Sequence, residues 1–558
     1  MRNKRRRATP ALPKKRGEGK FQTPGVVFQP DAYQGIRKGV DAIVEAIRPT
    51  LGPFPRHVAI SRQEADKAPE ILDSGGIIAR RIIQIPDRDQ DMGAMFTRHM
   101  LWKLHERTGD GTVTAGVIFQ EIYNQGLRYI AAGGNPMRLR SHLEDGLREI
   151  LDELDRMTAP IKGKASLIHL AETICHDPEL ARYLGEIFDV IGEYGRLEIR
   201  RGNGRNISRD YIEGTYWEEG LLSRQMITDV ENGRSVLENG AVLMTDLDVQ
   251  EPGDILYLLE LAVKAKMTGV LLLVGSLSDR AMSLLLNTIN WEKIKVLVVK
   301  VPGPGVENQT ACLTDLAVLT GGRPLLKATQ SSLKGARLDD FGYARRVWAY
   351  KDSFGVTGGR GDPRLFRQHI RGLQEAYRRE QEQAQRAKLQ MRIGMLMGGS
   401  ATLWIGVLTD REYNLRKEWA ERTARALRAA LMEGVLPGGG AALLHCKPLL
   451  AQRMAQAADS DERAASLILS RALEAPFRAI LSNSGYNPGE ALVGLDYVSP
   501  GFSFDVRTGQ VVRADEAGLL DVALVVKEAV RSAVTSAALL LTTDVLVHLK
   551  NPPTGLQT

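Results

Sequence analysis

The chain holds only three cysteines, Cys175, Cys312 and Cys446, far apart and with no C-x-x-C pair. That excludes a disulfide framework and a cysteine zinc site, and fits a reducing cytoplasm. No G-x-x-x-x-G-K-[ST] occurs, so any phosphate site is not a P-loop. The first residues are charged and no apolar core follows them, which gives no sign of a secretory signal. The longest uncharged stretch, 393–409, is interrupted by Gly398, Gly399 and Ser400 and is a poor membrane span. A cytoplasmic protein is expected.

What remains is ordinary for a soluble globular chain: 43% apolar and 25% charged residues. Its 558 residues exceed what one core serves, so two to four domains are expected. The net charge of +7 is unevenly spread. Residues 1–20 carry nine basic residues against the single acid Glu18, so the rest of the chain sums to −1. The basic pI therefore belongs to a tail, residues 1–24, which reads as a disordered, solvated arm. Contact with nucleic acid or an acidic membrane is its speculative alternative.

Three kinds of territory follow. From about Asp31 to Asp155 the pattern is helical, with Ile36, Val40, Ile43, Val44 and Ile47 on one face. A helix end is expected at Pro49, a second helix over about 91–107, a third after Gly111, and a cap at Asn135-Pro136. Between about 211 and 396, short β-branched runs at 241–244, 270–274 and 295–301 alternate with helical patterns at 254–267 and 278–290. A long charged helix at 364–391 leads out of this α/β unit. After about Thr409 the chain is helical again. The ends resemble each other and differ from the middle, as when one domain is inserted into another.

Gly109-Asp110-Gly111-Thr112-Val113-Thr114 sits between two helical patterns. Its glycines let backbone approach a ligand, the new helix offers free N–H groups to phosphate, and Asp110 suits a phosphate-bridging Mg²⁺. A tight helix–helix turn capped by aspartate explains the same spacing. Pro437-Gly438-Gly439-Gly440 is by itself a linker or a flat backbone surface, and Asp521 a helix cap or a ribose ligand.

Taken in order, Thr50-Leu51-Gly52-Pro53, 109–115, 131–137, 433–441 and 518–521 resemble the group I chaperonin (Hsp60/GroEL) family, over about 27–547. The resemblance implies a multidomain α and α/β fold. A helical equatorial domain (25–155 and 433–558) would bind nucleotide and contact ring neighbours. A small intermediate hinge domain (156–210 and 401–432) and an inserted α/β apical domain (211–400) would complete it. It further implies that Thr50, Leu51, Gly52, Pro53, Asp110, Gly111, Thr112, Val113, Thr114, Gly438, Gly439, Asp505 and Asp521 hold ATP. Asp110 would carry Mg²⁺, and K⁺ is a further possible ion. Val113 replaces the family's threonine, and Asp505 its asparagine.

Two acids of the family's hydrolytic site are displaced. Arg422 stands at the place of the water-positioning aspartate and Ser74 at that of a second acid, with Glu418, Glu421 and Asp73 as nearby substitutes. Arginine accepts no proton at neutral pH, and a positioned base contributes on the order of 10² to 10⁴ in rate. Reduced hydrolysis is therefore expected. A fully active folding ATPase, or a hydrolysis-dead scaffold keeping the fold, are the alternatives.

By the same resemblance Leu221, Leu222, Met226, Leu258, Leu261, Leu285 and Leu286 would line an apical groove for non-native proteins or a co-chaperonin lid. The subunits would form a homo-oligomeric ring, seven-fold by resemblance. Glu219 and Asp410 occupy positions that pair across subunits in the family, and two acids there would repel. The Pro552-Pro553-Thr554-Gly555 terminus lacks the family's Gly-Gly-Met tail.

Overall fold

A computed structural model of the chain describes residues 25–61, 69–161, 163–202, 204–230, 233–288, 294–397, 399–496 and 501–548. The basic tail and the Pro552–Gly555 terminus lie outside the described residues. Helices follow in chain order as α1 (Asp31–Ile47), α2 (Gly75–Arg81), α3 (Arg88–Thr108), α4 (Thr112–Ala131), α5 (Pro136–Met157), α6 (Lys164–Cys175) and α7 (Pro178–Ile191). Then come α8 (Pro252–Lys264), α9 (Asp279–Thr288), α10 (Gly305–Thr320), α11 (Pro363–Arg379), α12 (Gln383–Leu396) and α13 (Asp410–Glu433). The last are α14 (Ala441–His445), α15 (Lys447–Gln456), α16 (Ser460–Asn483), α17 (Pro488–Asp496) and α18 (Ala523–Leu540).

The chain divides into two compact units. The first takes Met1–Arg156, Gly439–Val512 and Val526–Thr558; the second takes Met157–Gly438 and Arg513–Val525.

The first unit is mostly helical. Ile36, Val40, Ile43, Val44 and Ile47 are all buried, so the apolar stripe of α1 is its core face. Helices α1 and α3 cross at backbone contact. A Cβ on Gly39 would lie 1.9 Å from the Gln90 carbonyl oxygen, and one on Gly93 would lie 2.2 Å from that of Ile36. Asn135 caps α5 through Oδ1, which accepts from the N–H groups of Met137 (2.9 Å) and Arg138 (3.2 Å). Strands Gly25–Phe28 and Val545–His548 pair antiparallel, so the two ends of the described chain meet.

The second unit is built on a six-stranded sheet in the order 295–300, 269–274, 235–244, 342–349, 354–359, 215–217. Its first three strands are parallel and the rest antiparallel. The continuous apolar run Gly269–Val274 is buried throughout, as expected of a strand covered on both faces. A second core in this unit joins α6, α7 and α13 to a three-stranded sheet of 196–201, 399–405 and 208–213.

The single long helix expected over 364–391 is instead two, α11 and α12, separated at 380–382. The break lets Ile370, Leu373 and Tyr377 fold back on Ile393 and Leu396 in a small shared core, with the Arg386 guanidinium 4.5 Å above the Tyr377 ring.

Candidate nucleotide site

Three segments of the first unit converge. The turn after α1 is fixed by the Thr50 hydroxyl, which donates to Ile47 O at 2.8 Å. Asn483 Nδ2 donates to the carbonyls of both Arg48 and Leu51 at 2.9 Å. Gly52 takes φ +107°, a conformation that favours glycine, and Pro53 follows it. Ser74, buried and extended, precedes α2 without capping it through its side chain. A Cβ on Gly75 would lie 2.4 Å from Val113 Cγ2, 3.2 Å from Thr112 Oγ1 and 3.6 Å from Ile47 Cβ. The starts of α2 and α4 and the end of α1 therefore touch.

The loop between α3 and α4 turns on two left-handed glycines, Gly109 (φ 76°) and Gly111 (φ 78°). Asp110 Oδ1 accepts from Gly111 N at 2.7 Å, and the exposed carboxylate otherwise faces outward. No side chain caps α4, so its first N–H groups, at Thr112, Val113 and Thr114, have no intrahelical acceptor. Thr112 and Val113 are buried and Thr114 half-buried. Two uncapped helix starts, a carboxylate and a rigid turn thus lie together, an arrangement chemically suited to an anion such as phosphate.

Further along the same unit, Gly439 (φ 68°) and Gly440 (φ 82°) present bare backbone. A Cβ on Gly439 would lie 3.2 Å from Ser503 Oγ, and one on Gly440 3.2 Å from Phe477 N. Asp505, expected near the base, closes a turn of its own. Its Oδ1 accepts from Arg507 N (2.8 Å), its Oδ2 from the Thr508 hydroxyl (3.0 Å), and its carbonyl from Gly509 N (2.8 Å). Both carboxylate oxygens close a turn, as a short acid does when it caps its own chain.

Gly438 and Asp521 belong to the second unit. There Gly438 N donates to Leu519 O at 2.8 Å, and Asp521 sits opposite Leu436 in a two-stranded ladder.

Arg422, also in the second unit, is anchored. Its Nη2 donates to Ile174 O at 2.7 Å, at the C-terminal turn of α6. Nearby, Arg416 reaches Asp177 at 3.4 Å, and Asp177 caps α7. Glu421 is exposed and 3.8 Å from Lys417; Glu418 is half-buried; Asp73, in the first unit, is half-buried beside Ser74. Asp410 ion-pairs with Arg201 of the same unit.

The apical residues separate sharply. Leu221, Met226, Leu258 and Leu285 are buried in the sheet core, so these four do not face a groove. Leu261 and Leu286 are partly buried against that core, and Leu222 is 39% exposed. Helical spacing marked the inward face of α8; Leu256, Tyr257 and Val263 are the apolar side chains it turns outward.

All three cysteines are buried, and burial raises their thiols, that of Cys446 to about 12. None is a poised nucleophile.

Among the described residues no group of three or more His, Cys, Asp or Glu side chains is placed to hold a metal ion. A divalent ion at Asp110 would thus need phosphate oxygens and water to complete its shell, which fits one carboxylate beside two helix starts.

The sequence model of the TCP-1/cpn60 chaperonin family matches residues 291–551. The fold agrees over much more of the chain. It superposes on the chaperonin gp146 from the bacteriophage EL 2 (Pseudomonas aeruginosa), crystallised in the presence of ATP-BeFx, with TM-scores of 0.67 and 0.60 in two crystal forms. Each match is 19% identical and covers 94% of this chain and 99% of that one. The C-terminal part of the chain thus matches the chaperonin family's sequence model, and the whole chain has a chaperonin's fold. Its architecture is the multidomain α and α/β chaperonin fold. Among the described residues no helix of the chain is long and apolar enough to cross a membrane.

Proposed function

We propose that this chaperonin binds ATP with Mg²⁺ in its first unit, holds non-native polypeptide on the sheet domain of its second, and hydrolyses ATP slowly. The observation that carries the reading is the convergence of the 48–53 turn, Ser74-Gly75 and 109–114. In this reading the N–H groups of Thr112, Val113 and Thr114 orient phosphate oxygens, and Asp110 holds the ion that neutralises their charge. Gly439 lends flat backbone for the base. Gly438 and Asp521 stay assigned to the nucleotide by resemblance, whereas Asp505 acts through the turn it closes.

Slow hydrolysis follows from Arg422. A guanidinium cannot take a proton from water at neutral pH, and this one is committed to the end of α6. The equatorial, intermediate and apical ranges drawn from the sequence remain our assignment, with 433–438 and 513–525 moved to the unit that contains the hinge.

Ring assembly is supported by the terminal ribbon. Val26 lies opposite Val547 and Phe28 opposite Val545, and all four are exposed, Phe28 by 65%. A two-stranded ribbon with an open apolar face is marginal alone and gains stability from a neighbour.

Calorimetric titration of the full chain with ATP and ADP, with and without Mg²⁺, tests the nucleotide reading. We expect saturable binding that Mg²⁺ strengthens, and a loss of that strengthening by about tenfold or more in Asp110→Ala. Absence of binding to either nucleotide would sink it.

A further inference from the structure

The α11–α12 hairpin of the second unit carries a concentration of positive charge that the chaperonin reading does not use. Residues 363–396 hold eight arginines and lysines against three acids, Glu375, Glu380 and Glu382, in a chain whose net charge beyond its first 20 residues is −1. Four of the arginines, Arg364, Arg367, Arg371 and Arg378, are spaced by three, four and seven residues. At 3.6 residues per turn they fall within an arc of about 60° on one face of α11. All four are exposed, and among the described residues none forms an ion pair with a carboxylate.

Neighbouring charge does not cancel them. Glu375 is 3.6 Å from Arg379, Asp315 is held by His369 and Arg392, and Asp362 caps the start of α11. Beyond that start the surface continues through Arg360, whose Nη2 donates to Asn239 Oδ1 at 2.9 Å. Arg345 follows, beside Gly358 of the adjacent strand. Both are exposed.

We infer that this arginine stripe binds the phosphate backbone of a nucleic acid duplex, independently of base sequence. The chemistry of the stripe selects that partner over an acidic protein. Docking between proteins centres on apolar or aromatic anchors packed beside any arginine. Here the stripe contains none: Leu365 is turned about 130° away from its centre, and Phe366 packs into the hairpin core. With no aromatic available for stacking, base recognition is absent as well. Guanidinium forks match phosphate oxygens and are cheaply desolvated. On a rise of 1.5 Å per residue, neighbouring arginines stand about 4.5 and 6 Å apart along the helix. Duplex phosphates recur every 3.4 Å per strand, so the stripe spans several of them over about 21 Å.

The test is the salt dependence of binding to a short fluorescent DNA duplex, measured by anisotropy on the full chain. The basic N-terminal residues are present in every form and contribute equally. Replacing the four positions with glutamine (R364Q/R367Q/R371Q/R378Q) lowers the slope of log K against log salt by about 3.6, or about 0.9 for each lost phosphate contact. Affinity falls at least about tenfold at moderate salt, with an unchanged melting curve. Lysine at the same positions retains most of the slope. The proposal is overturned if the glutamine variant binds as the wild type does, or if the lysine variant is as weak as the glutamine one. It is overturned also if polyglutamate, rather than the duplex, binds in a stripe-dependent way, which would make the partner an acidic polypeptide.

Discussion

Arg422 donates from Nη2 to the carbonyl oxygen of Ile174 across 2.7 Å, so the residue proposed to replace a catalytic aspartate caps the end of α6. The contact satisfies one of the carbonyls that a helix leaves open at its C-terminus and brings a cation to its negative end. Restoring a carboxylate should therefore do two separable things. Arg422→Asp should raise steady-state phosphate release by about 10² or more, the usual contribution of a positioned base. It should also cost about 1 kcal/mol of stability through the lost hydrogen bond. Arg422→Ala loses the same cap without gaining a base. If the aspartate variant turns over no faster than the alanine variant, the impaired-site reading fails.

The contact of Gly75 with Val113 gives a test of the phosphate cradle. A methyl at residue 75 meets Val113 Cγ2 at 2.4 Å, too close for both to stay. Gly75→Ala should push the starts of α2 and α4 apart and weaken ATP binding about tenfold or more, since ligand contacts are sensitive to displacements on the ångström scale. Val113→Ala removes the obstructing methyls, so the double variant should recover much of the affinity. A double-mutant cycle with no coupling between the two positions would contradict this convergence.

Much of this arrangement was legible in the sequence for physical reasons. Gly109 and Gly111 mark α4's start because only glycine takes their left-handed conformations without strain. The stripe from Ile36 to Ile47 marks a core face because its period matches a helix. Other features were not. The break at 380–382 contains no glycine or proline and exists because tertiary packing folds α12 back on α11. Helical spacing alone favours a core role for the leucines of α8, and only the family resemblance placed them in a groove. The commitments of Arg422 to Ile174 and of Asp410 to Arg201 link residues more than 200 positions apart, and local pattern carries no trace of them.

Asp315 predicts a local stability effect. It is 4% exposed on α10, accepts two hydrogen bonds of 2.8 Å from Arg392 on α12, and lies 2.7 Å from His369 Nε2 on α11. Asp315→Ala would leave the Arg392 guanidinium partly buried and unpaired, at a cost of about 3 kcal/mol. Because the chain has more than one core, hydrogen exchange is the suitable measurement: α10, α11 and α12 should lose protection while the first unit does not. Unchanged exchange in those helices would show that the carboxylate bridges nothing of consequence.

The burial of the apical leucines separates binding from folding on the second unit. Leu222, Leu256 and Val263 are exposed by 39%, 37% and 58%, so replacing all three with serine should leave the melting temperature nearly unchanged. It should also abolish much of the protein's suppression of aggregation by a denatured client, because exposed apolar surface is what such a client seeks. Leu258 and Leu285 behave oppositely. At 6% and 0% exposure they fill the space beneath α8 and α9, and each serine substitution should cost at least about 2 kcal/mol from the lost packing and the buried hydroxyl. Calorimetry and light scattering on the two sets give the answer together. Should the surface triple retain full suppression while remaining folded, the polypeptide surface lies elsewhere on the chain.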